Sequence, residues 1–317
     1  ATTTETVEIG APIPFAFVVD VGGKPHVVLS DTPDETWGEG APVIVHEAST
    51  DRPATNGKTE ADVLARRATL AHLPADYANA SGRRVRLFDA NGERCEGTLG
   101  APVLTQRMVP GSIRSHGDMD GTDDPSSESP AERTWKLGVG IALTAEITPT
   151  HGKCEGATWA RSASLGGVEV ASAKKADPKL AAQALAFART VPLYGEIQER
   201  YAHDLEGPHA ARWEDHDSAD KTVRVMTSPT GTFVWVSIRA GEGCGSFQGQ
   251  LGTLLEVTAS ATGKPTFRAV SAGEHEVSAI EGVVHADGEP PILLFGDARI
   301  VSDTEESVAP AYYGCGC

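Results

Sequence analysis

The sequence predicts a mainly β protein of the α+β class, made of antiparallel meanders or of sandwich- or propeller-like sheets with a few inserted helices. Its 34 glycines and 20 prolines among 317 residues indicate many turns. Branched and aromatic residues occur in short runs between these turn residues, which is the pattern of strands. Apolar residues make up 40 % of the chain and charged residues 22 %, so the chain is globular rather than disordered.

The length allows one large domain or two ordinary ones. We expect two lobes that divide near residues 166–177. The first, residues 1–170, is predicted to be a β-rich lobe with one helix and an acidic loop over residues 111–133. The second, residues 171–317, is predicted to begin with a helical segment and to continue as a β meander.

The first lobe opens with a predicted hairpin. Residues 15–21 and 25–29 have the pattern of strands, and Gly22-Gly23 between them suits a two-residue turn with positive φ. Asn91-Gly92 predicts a second hairpin, between strands over 85–89 and from 94 onward. Further strands are predicted over 43–46, 103–109, 135–147 and 157–165.

One helix is predicted in the first lobe, with Thr59 as its N-cap and Pro74 as the residue that stops it. Acidic residues in its first turn suit the positive end of the helix dipole. Val63, Arg67 and Leu70 would then share one face.

The second lobe begins with a helical region at Asp177-Pro178, an N-cap followed by proline at the first helical position. Pro192 interrupts the helical spacing, and Gly207-Pro208 ends it. Strands separated by short turns are then predicted over 223–226, 232–238, 252–258, 266–270, 282–285 and 292–295.

Five cysteines without any Cys-x-x-Cys spacing predict structural disulfides rather than a redox or zinc motif. Cys95 and Cys154 each begin a Cys-Glu-Gly tripeptide, and we expect them to pair if their strands are neighbours; the alternative is two buried free thiols. Cys244 would pair with Cys315 or Cys317, which leaves one thiol free or able to link two chains. In a third interpretation Cys244, Cys315 and Cys317 bind a soft metal ion.

Disulfides indicate an extracytoplasmic location, in the periplasm, at the cell surface or secreted. The formal charge of −17 disfavours binding to nucleic acid, whose phosphates it would repel. No apolar run approaches the ~20 residues that a membrane-spanning helix needs. Ala1 in place of Met indicates a processed or trimmed chain, after removal of a secretory signal or by recombinant trimming.

A histidine-rich stretch is a candidate zinc site. His203, His209 and His216 lie among carboxylates that include Asp204 and Glu214, a set that could bind zinc and activate a water molecule. The alternative is a polar loop that follows a helix, because the spacing matches no known zinc motif.

The acidic loop is a candidate calcium site, because Asp118, Asp120 and Asp123 supply the oxygen ligands that hard cations prefer. The alternative is a solvated acidic loop. Residues 241–246 are rich in glycine but match neither a nucleophile elbow nor a phosphate-binding loop. The sequence therefore contains no catalytic motif.

Two short segments resemble known families. His285-Ala286-Asp287-Gly288-Glu289 and the following Ile292-Leu293-Leu294, within residues 279–297, resemble the calcium-loop strand repeats of FG-GAP and VCBS-type β-propeller proteins. Asp287, Gly288 and Glu289 carry this resemblance, which implies a β hairpin of that style. The ending Gly314-Cys315-Gly316-Cys317 resembles the cysteine element at which myxobacterial surface-sorting signals begin.

These observations favour an exported, disulfide-stapled binding or structural protein without catalytic activity. Its partner would be an unknown protein or surface, and it could form a disulfide-linked or non-covalent oligomer. Two alternatives remain open: a metal-dependent hydrolase that uses the histidine-rich stretch with zinc, and a calcium-stabilised β-repeat module.

Overall fold

The computed structural model describes residues 11–47, 61–108, 135, 138, 140–204, 210–229, 231–241, 247–259, 265–275, 279–286, 288–296, 298–302 and 304–308. The fold is mainly antiparallel β with a few helices, as the sequence predicts. The chain divides into two compact units. The first comprises Ala1–Asp89, Glu93–Gly166 and Val308–Cys317, and the second comprises Ala90–Gly92 and Gly167–Ser307. That residues 1–170 and 171–317 fold as separate domains stays a prediction.

The first unit is built on one eight-stranded sheet. Its strands are β1 Ala16–Val21, β2 Lys24–Ser30, β3 Gly38–His46, β4 Asp62–Ala68, β5 Arg84–Asp89, β6 Gly92–Met108, β7 Ile141–Gly152 and β8 Trp159–Ser162. The sheet order is β3-β4-β6-β5-β8-β1-β2-β7, and β7 also pairs with β6. Six strands therefore close into a small barrel, and β4 and β3 extend from the second half of β6.

The predicted first hairpin is confirmed. β1 and β2 pair in register from Val18↔Val27 to Val21↔Lys24, and the turn residues Gly22 and Gly23 have φ of +62° and +84°. Positive φ at both turn positions gives the strands the twist that a two-residue hairpin needs. Alternate residues of the hairpin point inward, among them Val18 and Val27, which belong to the barrel core.

The predicted helix from Thr59 to Pro74 is wrong over its described residues. Asp62–Ala68 is strand β4, which pairs with β3 on one side and with β6 on the other. Val63 and Leu64 are consecutive and both nearly inaccessible, at 2 % and 1 % exposure, as expected of a strand that is covered on both faces. Pairing on two edges outweighs the weak helical periodicity of this segment. A 3-10 helix, Leu70–His72, lies before Pro74, and a short helix, α1 Ala75–Ala78, follows it.

The strand predicted over 135–147 begins later, at Ile141, and runs on to Gly152 as β7. β6 is a single strand of 17 residues that pairs with β7 along most of its length. Their register shifts after Glu96 and again after Leu99, so the two strands bend as the barrel closes. Gly97 lies at the first irregularity, where a Cβ would stand 2.5 Å from Ile147 Cγ2.

The second unit contains helices α2 Pro178–Ala188 and α3 Pro192–Asp204 and two five-stranded antiparallel sheets. Its strands are β9 Val168–Ser172, β10 Lys174–Lys175, β11 Asp220–Ser228, β12 Gly231–Gly241, β13 Gln248–Ala259, β14 Pro265–Gly273, β15 Gly282–Ala286, β16 Ile292–Phe295, β17 Ala298–Val301 and β18 Thr304–Ser307. One sheet has the order β10-β11-β12-β13-β14, and the other has the order β18-β17-β16-β15-β9. The meander and all six strands predicted after residue 222 are confirmed.

The start of the helical region is also confirmed. The Asp177 side chain accepts hydrogen bonds from the backbone N–H groups of Lys179 and Leu180, each at 3.0 Å. Pro178 occupies the first helical position, where its missing N–H costs nothing. Pro192 separates α2 from α3, as the sequence predicts.

The central sheet of the second unit is buried on both faces. On β12, Val234, Val236 and Ile238 belong to the core that the helices cover. The intervening Phe233 and Trp235 belong to a second core, shared with residues of β15, β16 and β17. The second unit therefore has three layers, helices on a sheet and that sheet on another, which is the sandwich alternative among the predicted arrangements.

Candidate functional site

The predicted disulfide between Cys95 and Cys154 is confirmed. Cys95 lies on β6 opposite Gly152, the last residue of β7, and Cys154 follows two residues later with a Cα–Cα distance of 5.2 Å. Both cysteines belong to the barrel core and are only 2 % and 3 % exposed. The bond cross-links residues 59 apart in sequence, which is worth ~4 kcal/mol in the chain-entropy description.

The backbone around the disulfide requires a glycine. Gly152 has a φ of +77°, and a Cβ there would stand 2.5 Å from the carbonyl oxygen of Arg94. The Arg94 Nη2 in turn donates to the Glu155 carbonyl at 3.2 Å. These contacts hold the end of β7 close to β6, so that the two sulfur atoms meet inside the core.

The other predicted cysteine and aspartate sites lie outside the described residues. These residues are Cys244, Cys315, Cys317, Asp118, Asp120 and Asp123, and His209 of the histidine-rich stretch is outside as well. Pairing of the remaining cysteines, the leftover thiol and calcium binding by the acidic loop therefore stay predictions.

The described histidines of the candidate zinc site lie on separate elements. His203 is an exposed residue in the last turn of α3. His216 follows a short 3-10 helix, Trp213–Asp215, and its Nδ1 is 2.7 Å from Ser218 Oγ. Within the ranges that the structure describes, no three His, Cys, Asp or Glu side chains form a metal-binding group.

The carboxylates beside these histidines are engaged with cations. Glu214 is completely buried, and its Oε1 accepts from Arg189 Nε at 2.8 Å and lies 2.7 Å from Arg189 Nη2. Asp215 accepts from Lys221 at 3.0 Å and from Arg212 at 2.7 Å, and these hydrogen bonds lower the pKa of the Asp215 carboxyl. Glu214 therefore joins the 3-10 helix to the end of α2, and Asp215 joins it to β11.

A pocket lies in the first unit, beside β4, β6 and the start of β7. Its lining residues are Pro33, Asp34, Arg66, Leu104, Trp135, Gly138 and Ile141. Arg66 on β4 is the cross-strand partner of Leu104 on β6, so both side chains point to the same face of the sheet. Leu104 is 2 % exposed and belongs to a core with Leu143 and Trp135. Arg66 thus extends from the core face toward the pocket.

Among the described residues, the guanidinium of Arg66 makes only part of the hydrogen bonds it can donate. Its Nη2 donates to the Gly38 carbonyl at 2.9 Å, whereas its Nε is buried and has no hydrogen-bond partner in the described structure. The side chain passes over the bare Cα of Gly38, where a Cβ would stand 2.7 Å from both Cδ and Nε of Arg66. Glycine at position 38 therefore makes room for the arginine.

Asp34 places a negative charge at the same pocket. Its Oδ1 accepts from the backbone N–H of Thr36 at 2.8 Å and from Thr36 Oγ1 at 2.7 Å. These hydrogen bonds lower the pKa of the Asp34 carboxyl, which keeps it ionised at neutral pH. The pocket thus combines one cation, one anion and apolar walls.

No sequence motif points to this pocket. Arg66 belongs to no sequence motif. In the predicted helix from Thr59 to Pro74 it has no position that distinguishes it from the other charged residues. The one available signal was its place between Leu64 and Ala68: in a strand these three alternate residues share a face, so a charged residue would lie among apolar ones.

Two histidines outside the pocket, His26 and His285, have lowered pKa values. His26 on β2 is 5 % exposed, and burial lowers its pKa from 6.5 to about 4. Its Nδ1 lies 3.2 Å from Thr144 Oγ1. Burial also lowers the pKa of His285, whose ring centre is 4.8 Å from that of Phe233. Both imidazoles are therefore neutral at pH 7.

None of the helices in the described ranges is both long enough and apolar enough to cross a membrane. Comparison of the chain with protein-family models, with curated proteins and with solved structures finds no match. Within residues 279–297, which resemble a propeller-type repeat, strands β15 and β16 pair antiparallel. Asp287 of that resemblance lies outside the described residues.

Proposed function

We propose that this chain is an extracytoplasmic binding protein without catalytic activity. The observation that carries the proposal is the buried Cys95–Cys154 disulfide, because disulfides persist in oxidising compartments and are rare in the cytosol. The bond lies within the core of the barrel and not at the surface, so its role is structural. A protein that depends on such a bond is suited to a location outside the cytoplasm.

The pocket supports binding rather than bond-breaking chemistry. Among the described residues that line it, no side chain is an imidazole, hydroxyl or thiol, the groups that most often act as bases or nucleophiles. It does combine apolar walls with a few charged groups, the usual composition of a ligand site. The partner or ligand would be recognised there by charge and shape.

The location is tested by labelling intact cells that produce the protein naturally with a membrane-impermeant amine reagent. The exposed Lys24, whose side chain is 62 % accessible, is a suitable reporter. We expect labelling without cell lysis, or after the outer envelope alone is permeabilised, while a cytosolic marker stays unlabelled. Labelling that requires lysis of the cytoplasmic membrane would contradict the proposal.

The two alternative functions make separate predictions. A zinc-dependent hydrolase that uses His203 or His216 requires stoichiometric zinc and loses activity in the His216→Ala variant. A calcium-stabilised module melts at a higher temperature in millimolar calcium, because a ligand that binds only the folded state stabilises it. Elemental analysis and a calcium titration of the melting temperature distinguish both from the binding function.

A further inference from the structure

We propose that the pocket in the first unit, which we call the Arg66 pocket, binds a small organic monocarboxylate with an apolar tail. This inference rests on the proposed binding function and names its ligand class. The Arg66 pocket is defined by Asp34, Arg66, Leu104, Trp135 and Ile141. Three properties of these residues support it: an incompletely used guanidinium, an apolar wall and a nearby negative charge.

The guanidinium supplies the recognition of the carboxylate. Arg66 carries five N–H donors in a planar fork. One hydrogen bond from Nη2 goes to the Gly38 carbonyl, and the buried Nε has no partner among the described residues. The oxygens of a carboxylate, like those of a phosphate, match that fork, and the charge of the ligand decides between the two anions. Because Gly38 covers the buried Nε, a carboxylate in the pocket would reach the guanidinium through its Nη atoms. Arg66 forms no ion pair among the described residues, so we infer that an anionic ligand supplies the missing negative partner.

The walls supply the apolar part of the site. Leu104 and Trp135 belong to the apolar core at this end of the barrel, and Ile141 packs against that core. A short hydrocarbon chain in the pocket would contact these three side chains, and its apolar surface would be removed from water. The ligand is therefore an amphiphile and not a bare inorganic anion.

Asp34 limits the charge of the ligand. Its carboxylate is ionised and lines the same pocket as Arg66. A ligand with a second negative charge would be repelled by Asp34 and by a chain whose net charge is −17. The site therefore selects a monocarboxylate over a dicarboxylate or a phosphate, because charge repulsion weakens the binding of the more highly charged anion.

The test uses hexanoate as the probe, with 1-hexanol as its neutral match and adipate as its dianionic match. Binding to the full chain is followed by saturation-transfer NMR of the probe. We expect saturable binding of hexanoate and much weaker binding of hexanol and adipate. Equal binding of hexanoate and hexanol would show a merely apolar site, and no saturable binding of hexanoate would overturn the proposal.

The chain offers a matched control variant, because Arg67 is the next residue on β4 and is exposed. Arg66→Gln and Arg67→Gln remove the same charge from neighbouring positions that point to opposite faces. We expect Arg66→Gln to weaken hexanoate binding about tenfold or more, the effect of losing one charged hydrogen-bonding partner. Arg67→Gln should change it less than about twofold, and equal losses in the two variants would contradict the assignment.

A second variant keeps the test valid if Arg66→Gln does not fold. Ile141→Phe fills the pocket and leaves Arg66 in place, so it should abolish hexanoate binding while circular dichroism stays native. Retained binding in this variant would contradict the site. The outcomes also separate the two proposals: failure of hexanoate to bind an envelope-located protein removes only the ligand class, whereas binding to a cytosolic protein removes only the location.

Discussion

Glu214 is a carboxylate that is completely buried, and its charge is balanced chiefly by Arg189. Arg212 lies farther away, with its Nε 3.6 Å from Glu214 Oε1. The second oxygen of Glu214 is also buried and has no partner in the described structure. A buried ion pair contributes little net stability by itself, but removal of one member leaves an uncompensated charge. The pair therefore specifies how the 3-10 helix packs against α2.

Arg189→Met is expected to destabilise the protein by about 3 to 5 kcal/mol, because it leaves the Glu214 carboxylate buried without its main cation. Adding Glu214→Gln in the same chain should restore part of that loss. Chemical denaturation measures both. The matched control is Arg268→Met, which removes an arginine paired with Glu256 at the surface, where the Arg268 side chain is 70 % exposed. It should cost less than about 1 kcal/mol, and an equal cost at the two sites would contradict the role of Arg189.

His26 gives the stability a pH dependence. Burial lowers its pKa from 6.5 to about 4 in the folded chain, so between these values the unfolded chain binds more protons than the folded chain. The free energy of unfolding contributed by His26 is therefore highest above pH 6.5. It falls by about 3 kcal/mol as the pH is lowered to about 4 and is constant below that.

His26→Gln should remove this contribution. Denaturation curves of both proteins between pH 4 and pH 7.5 measure it, and the difference in stability between them should narrow or reverse toward low pH. Parallel pH profiles in the two proteins would show that His26 does not titrate in this range on unfolding.

At the scale of elements, the bend between β6 and β7 depends on a small residue at position 97. Gly97→Ala should destabilise the protein by about 1 to 3 kcal/mol, because the added methyl would stand 2.5 Å from Ile147 Cγ2 and 3.0 Å from the Thr148 carbonyl oxygen. Gly166→Ala is the control, since no atom lies within 4 Å of its Cβ position. Thermal unfolding compares the two variants, and a Gly97→Ala protein as stable as the control would contradict this packing.

Local signals predicted most elements and failed where pairing decides the structure. Gly22-Gly23 and Asp177-Pro178 specify a turn and a helix start through their own backbone preferences, and both predictions are confirmed. Residues 62–68 carry a mixed pattern, so their neighbours β3 and β6 decide that they form a strand. Closure of the barrel through β6 and β7 joins residues such as Cys95 and Gly152, which are far apart in sequence, and no local signal encodes it.

The residues of the candidate sites also divide into those that local sequence predicts and those that only the fold brings together. Cys95 and Cys154 could be paired from the sequence because they share a tripeptide and covalent chemistry limits their options. Arg66 could not be recognised, because its inward orientation follows from the register of β4 against β6 and from the space above Gly38. Glu214 is a zinc-ligand candidate in one of the two interpretations of the histidine-rich stretch, because it is near these histidines in sequence; in the fold its carboxylate contacts Arg189.

At the scale of the whole molecule, two compact units occur in one chain, and the disulfide lies within the first of them. In the first unit a closed six-stranded barrel surrounds a core of mostly small aliphatic residues, with the disulfide among them. Such a core buries limited apolar surface, so a cross-link contributes a large share of its stability. The proposed extracytoplasmic location rests on this bond being formed in the native protein.

The double variant Cys95→Ala, Cys154→Ala should lose about 2 to 5 kcal/mol of stability, measured by denaturant unfolding. A double variant as stable as the parent protein would show that the bond is dispensable for folding.

The most direct measurement is a peptide map of the protein taken from its natural cells, with thiols blocked by alkylation in acid at the moment of lysis. Mass spectrometry of the unreduced digest should show the peptides of Cys95 and Cys154 joined, and reduction should release them as separate species. If both cysteines instead carry the alkylating group before reduction, the pair is reduced in the cell and the extracytoplasmic, disulfide-dependent account is contradicted.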